Sequence, residues 1–210
     1  MSDLRRVSQP EAPGRVSTRR VYSGRVISLD VDMVRFPNGS VGELEMVRHS
    51  GASAVVPFLS DPVGDDPHVL LIRQYRYAAE GYLYEIPAGR LDEGEDPADC
   101  ARRELQEETG CTAERVDPLV TIFTTPGFTD EKIHLFLATG LTNGAVAHEA
   151  DEFLTVETMP LSQALTMVEQ GEIQDAKTAL GLLYAAVRSV SLRVTRGGHF
   201  GEDSVYYITP

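Results

Sequence analysis

Three glutamates, Glu104, Glu107 and Glu108, stand three and four residues apart within the stretch from Gly89 to Cys111. On a helix, residues at that spacing are neighbours, so three like charges repel one another and cost stability. A bound cation removes that cost. Carboxylate oxygens suit a hard divalent ion such as Mg²⁺, which keeps several waters and bridges protein carboxylates to substrate phosphates. The chemistry this points to is metal-assisted reaction of a phosphate compound. Without a cation, the same residues describe a solvated acidic face on which Arg103, four before Glu107, makes one i,i+4 pair.

The local sequence predicts the helix that carries them. Asp96 can cap its N-terminus, Pro97 fits the first helical position, Asp99 puts negative charge in the first turn, and Gly110 fits the position past the C-terminus. Ala98, Ala101 and Leu105 recur at i, i+3 and i+7 as an apolar stripe for a core, leaving the glutamates to face elsewhere.

Charge and length bound the partners. With 210 residues the chain is long enough for one large domain without staples, and its only two cysteines, Cys100 and Cys111, would be about 16 Å apart along a helix, beyond disulfide reach. Free thiols point to a reducing cytoplasm. No run of 18 apolar residues occurs and no apolar segment follows Met1–Arg6, so neither a membrane span nor a signal peptide is expected. A net charge of −13 argues against nucleic-acid binding, and an anionic substrate would have to be met by metal ions and a few arginines.

Along the chain, residues 1–17 are polar with two prolines and read as a mobile leader. From Thr18 to about residue 49, Val21–Tyr22, Arg25–Phe36 and Val41–Val47 alternate apolar and polar residues, with Pro37–Asn38–Gly39 as a hairpin turn, giving a small antiparallel sheet with one buried face. Such a sheet cannot stand alone. The second block spans residues 50–190. It contains buried strands at 54–59 and 69–75, a strand at 82–86, strands at 119–123 and 133–138, a strand before Met159–Pro160, and helices at 161–171 and 176–190. Residues 191–210 form a tail without an assigned place.

Gly89, Glu95 and Arg103-Glu104-Leu105-Gln106-Glu107-Glu108-Thr109-Gly110 reproduce the spacing Gly-x5-Glu-x7-Arg-Glu-U-x-Glu-Glu-x-Gly-U, where U is bulky and aliphatic, and so resemble the Nudix box. An accidental match is on the order of one in a million. Cys111 departs from the pattern at the last U. Leu83–Gly89 before the box, Arg73–Arg76 on the preceding strand, Thr125–Glu131 after it and Pro126, sixteen residues beyond Gly110, are similar to the ADP-ribose pyrophosphatase branch. The resemblance covers about residues 20–188. It implies an α/β fold, an α-β-α sandwich on a mixed sheet, with the small N-terminal antiparallel sheet pairing across a homodimer.

The resemblance also implies the roles. Glu104 and Glu108 are the main Mg²⁺ (or Mn²⁺) ligands, Glu107 a further or water-mediated one, the Ala88 carbonyl an additional one, and Arg103 orients the glutamates. Glu95 bonds structurally near the box, and Gly89 serves a tight backbone turn. The base that activates water comes from the acidic loop His148–Phe153: spacing to the following strand favours Glu152, and a one-gap alternative favours Glu149. His148 and His134 are read as structural. Arg76 and Glu85 fall on the substrate side, while Arg73, three residues from Arg76 on a strand, points to the other face. Pro126, Gly127 and Phe128 shape the sugar side. Three functions remain: hydrolysis of ADP-ribose and other nucleoside diphosphate sugars, hydrolysis of another nucleotide pyrophosphate, and a non-catalytic ligand sensor on the same fold.

Overall fold

The computed structural model describes residues 12–144 and 154–195. Glu149 and Glu152, the two candidate bases, lie outside the described residues, as does His148. The described chain falls into two compact units, one of residues 12–51 with 123–132 and the other of residues 52–122, 133–144 and 154–195.

In the first unit, β1 (Gly14–Ser23), β2 (Ser28–Arg35) and β3 (Val41–Arg48) form an antiparallel sheet with β2 in the middle. The expected turn joins β2 to β3: Gly39 adopts a φ of 84°, and its N–H donates to the Phe36 carbonyl at 2.9 Å. β1 begins at Gly14, so it takes in residues that the expected leader included. Only its first four residues, 14–17, were missed, because an edge strand needs no apolar face.

The buried face of β2 also differs from the expectation. Its buried residues are Asp30 and Asp32, not the apolar Leu29, Val31 and Met33, while Val16, Val21, Tyr22 and Val41 are exposed. Charge pairing makes this tolerable. Arg48 bonds to Asp30, Asp32 and Asp130, Arg20 bonds to Asp30, and the Thr18 hydroxyl donates to Asp32 at 2.6 Å. The Asp130 bond at 3.1 Å, together with the Val47 N–H donating to the Phe128 carbonyl at 2.8 Å, holds the exposed turn of Pro126, Gly127 and Phe128 to the end of β3.

In the second unit, β4 (Ala52–Pro57) and β5 (His68–Arg76) are buried on both faces over most of their length, so each needs cover on two sides. Val55 and Leu70 pack with Ala101 and Leu105 of α1 (Pro97–Thr109). Val56 and Leu71 pack instead with Leu161 and Ala164 of α2 (Leu161–Glu169) and Leu182 of α3 (Ala176–Thr195). One helix on one side and two on the other make the expected α-β-α sandwich.

The strands between these layers form two sheets. β6 (Gly81–Glu85) and β10 (Leu154–Pro160) flank β5 in antiparallel fashion. β7 (Ala88–Arg90), β8 (Cys111–Phe123) and β9 (Lys132–Asn143) join β4 in the order β7-β4-β9-β8, mixed because β4 runs parallel to β9 and antiparallel to β7. β8 starts at Cys111, eight residues before the expected strand; it is an edge strand, and Glu114, Arg115 and Asp117 interrupt the apolar pattern that would reveal it. α3 continues to Thr195, past the expected end at Val190, since no Pro or Gly intervenes before Gly197.

Helix α1 is bounded as its sequence dictates. The Asp96 side chain accepts from the Ala98 N–H at 2.8 Å, Pro97 opens the helix, and Gly110 ends it at a φ of 72° with its N–H on the Gln106 carbonyl. Ala101 and Leu105 are buried in the core with Ala98 partly buried against them. Cys100 and Cys111 are free thiols, both buried.

Candidate active site

The acidic end of α1 is organised by one guanidinium. Arg103 donates to Glu95 at 2.9 and 3.1 Å, to Glu104 at 2.6 Å, to Glu107 at 3.1 Å and to the Arg90 carbonyl at 3.2 Å. Its planar fork of five donors, spread over three nitrogens, reaches oxygens farther apart than the single nitrogen of a lysine could. Glu95 is thereby fixed as a structural residue, and it also accepts from the Asp92 N–H at 3.0 Å, closing the loop that leads into α1.

The three glutamates are not equivalent. Glu108 is 2% exposed and accepts from the Ala88 N–H at 3.0 Å, Glu104 is buried, and the Glu107 side chain is 44% exposed. The helix therefore presents one outward and two inward carboxylates, rather than a uniform solvated face. Of the inward pair, Glu108 is bonded to the β7 segment and Glu104 lies against it.

Gly89 shows why that segment must carry no side chain. Its φ lies outside the left-handed region, so the expected tight turn is not what requires glycine. A Cβ at this position would stand 1.8 Å from Glu104 Oε1 and 2.4 Å from Oε2. The Glu104 carboxylate occupies the space a side chain would need, and any other residue would displace it.

Beside the box, Arg76 and Glu85 form a bidentate pair, with Nε to Oε1 at 2.6 Å and Nη2 to Oε2 at 2.8 Å. Glu85 is 1% exposed and lies beneath Arg76. Burial raises the Glu85 pKa, but the bonds from Arg76 and Lys177 outweigh it and hold the carboxyl below its usual range. The Arg76 side chain is 41% exposed, and Nη1 is the nitrogen that Glu85 leaves over. Arg73 faces away and sits 5.0 Å over the Tyr82 ring, as its spacing from Arg76 requires.

The sequence reading missed Lys177, whose Nζ is 2.5 Å from Glu85 Oε2. A lysine in the first turn of a helix opposes the helix dipole, and that local misfit was the available signal of a tertiary partner. His134 is structural in its contacts, with Nδ1 2.9 Å from the Thr121 hydroxyl.

Among the described residues, no group of three or more His, Cys, Asp or Glu side chains converges as a ready metal cage. The donor chemistry nonetheless fits a hard divalent ion. Mg²⁺ prefers one or two carboxylates, waters and substrate phosphates to an all-protein cage, and Glu104, Glu107, Glu108 and the Ala88 carbonyl supply oxygen donors only. The vacant Cβ position at Gly89 reserves room for one of those carboxylates.

The Arg103–Glu95 pair has a pH signature. The Arg103 hydrogen bond holds the Glu95 carboxyl down at about 2 against the usual 4.5. A carboxyl depressed in the folded state adds stability above its unfolded pKa, near 4.5, and loses it as pH falls toward about 2. Urea denaturation should therefore find Glu95→Gln less stable than the native chain above about pH 5, with the difference shrinking in more acid solution. A difference independent of pH would remove the ion pair from the account.

Residues 49–180 match the NUDIX domain. The chain is 40% identical to the "Methanol dehydrogenase activator" of Bacillus methanolicus over 80% of its length and 90% of that protein. It is 39% identical to the "ADP-ribose pyrophosphatase" of Bacillus subtilis (strain 168), over 82% of its length and 92% of that protein. A solved structure titled "Crystal structure of ADP compounds hydrolase" shares the fold, with a TM-score of 0.72 at 23% identity over 91% of this chain and 99% of that one. The match spans the box glutamates, the Ala88–Gly89 segment and the sandwich that holds them, and the chain belongs to the Nudix family.

Proposed function

We propose that the chain hydrolyses the diphosphate bond of nucleoside diphosphate sugars, with ADP-ribose as the substrate and AMP and ribose 5-phosphate as the products. The observation that carries this reading is the intact acidic site: Glu104 and Glu108 held inward against Ala88 and Gly89, with Glu107 outward and Arg103 between them. A non-catalytic sensor has no use for three costly neighbouring carboxylates. The 39% identical ADP-ribose pyrophosphatase and the Pro126 spacing favour the nucleoside diphosphate sugar class over other nucleotide pyrophosphates.

In this reading Glu104, Glu107, Glu108 and the Ala88 carbonyl hold Mg²⁺, or Mn²⁺ in its place. The ion, when bound, neutralises the non-bridging oxygens and the leaving phosphate. Arg103 keeps the glutamates oriented, and Arg76 offers Nη1 to an oxygen of the substrate. A water oxygen attacks one phosphorus, the bridging P–O bond breaks, and the water's proton passes to a carboxylate. Glu152 is assigned as that base, with Glu149 as the alternative. The assignment rests on the spacing of these acids to β10, which begins at Leu154. The Pro126–Phe128 turn takes the sugar side on the resemblance alone.

The exposed apolar residues of the first sheet, Val16, Val21, Tyr22 and Val41, support a homodimer that covers them. Sedimentation of the full chain as a monomer at micromolar concentration would sink that assignment. Two free buried thiols support a cytoplasmic location. No helix among the described residues is long and apolar enough to cross a membrane.

Turnover across a panel of nucleotide pyrophosphates with Mg²⁺ and Mn²⁺ tests the substrate class. ADP-ribose should rank among the best substrates, chelation should abolish hydrolysis while leaving the protein folded, and Glu108→Gln should lower kcat by roughly two or more orders of magnitude. Full activity after exhaustive metal removal, or near-normal turnover in the variant, contradicts the proposal.

The base assignment has its own test. Glu152→Gln should reduce kcat far more than it changes substrate affinity, because general-base assistance acts in the transition state, and Glu149→Gln should be mild. The opposite ranking transfers the role to Glu149.

A further inference from the structure

Lys177 stands in the first turn of α3, where the helix dipole disfavours a positive charge, and its side chain is only 13% exposed. Its Nζ lies between two carboxylates, 2.5 Å from Glu85 Oε2 and 3.0 Å from Asp175 Oδ2. Glu85 Oε2 is shared, because it also accepts from Arg76 Nη2 at 2.8 Å. The adjacent Thr178 takes the Ile86 N–H on its hydroxyl at 2.9 Å and donates that hydroxyl's proton to Asp175 at 2.5 Å. One turn of α3 thus grips both the side chain of Glu85 and the backbone of Ile86.

We propose that Lys177 is a positioning residue: by neutralising Glu85 and Asp175 together, it keeps Glu85 square to Arg76, so that Arg76 presents Nη1 to an oxygen of the substrate's diphosphate. The inference rests on the assignment of this chain to nucleoside diphosphate sugars and of Arg76 to the substrate. Removing the ammonium leaves two carboxylates that both lay within 3.0 Å of it, with Arg76 the remaining cation paired to Glu85. The guanidinium is then drawn toward both acids, and its outward nitrogen loses its fixed direction. Lys177 touches no substrate in this arrangement; it acts through Arg76.

Steady-state kinetics with ADP-ribose and Mg²⁺ on the full-length native chain, Lys177→Met, Arg76→Ala and the double variant test this. Lys177→Met should raise KM on the order of tenfold, with a smaller fall in kcat, and Lys177→Arg, which keeps the charge, should stay within about threefold of the native KM. In the Arg76→Ala background, Lys177→Met should add no further rise, because the residue it positions is gone. An unchanged KM in Lys177→Met, or the same rise in both backgrounds, overturns the proposal. Lys177→Gln carries the same comparison if the methionine variant does not fold. A native chain that turns over no nucleoside diphosphate sugar defeats the functional reading itself and this inference with it; native turnover without coupling between positions 76 and 177 defeats only the role of Lys177.

Discussion

The acidic end of α1 depends on Arg103. Glu104, Glu107 and Glu108 crowd within little more than one helical turn, and like charges at such spacing work against the helix. A single guanidinium bonds Glu104 and Glu107 directly and ties them to Glu95 in the loop before the helix and to the Arg90 carbonyl at the end of β7. The carboxylates are therefore held ready in defined places. The same contacts anchor the loop to the helix, so the interaction that stabilises the entry to α1 also aligns the groups that would meet a cation.

The short segment from Glu85 to Arg90 is gripped from both layers of the sandwich. On the α1 side, Glu108 takes the Ala88 N–H and Glu104 fills the space over Gly89. On the α3 side, Thr178 takes the Ile86 N–H and Lys177 pairs with Glu85. Two helices that do not share a face of the sheet thereby converge on six residues. Buried ionic groups contribute little net stability, since desolvation offsets their attraction. Their effect here is placement: the Ala88 carbonyl and the Arg76 guanidinium are set by contacts that tolerate few alternatives.

The first unit solves a different problem with similar means. A three-stranded sheet has little apolar surface to bury, and its central strand turns Asp30 and Asp32 inward against Arg48 and Arg20, leaving Val16, Val21 and Tyr22 exposed. Arg48 also reaches Asp130, which joins the 123–132 segment to the sheet although some eighty residues separate them in sequence. Charge pairing sets the inner face of this sheet, and the apolar face is free for another surface.

Helix α1 was legible in the sequence from end to end, because its cap, its stripe and its terminal glycine are local features whose physics does not wait for the fold. The box glutamates and Arg103 were legible for the same reason: their spacing alone places them on neighbouring turns. The apolar runs of β4 and β5 announced strands covered on both sides. By contrast the first residues of β1 and most of β8 were hidden, since an edge strand with a solvated face carries no apolar alternation. Tertiary structure alone decided that Gly89 is demanded by the Glu104 carboxylate and not by its own backbone angle. It also decided that Glu85 lies beneath Arg76, that Lys177 joins them across about ninety residues of chain, and that aspartates occupy the inner face of β2. Each of these is a contact between groups far apart in sequence, and burial, counter-charge and vacant volume are properties of such contacts that no local pattern encodes.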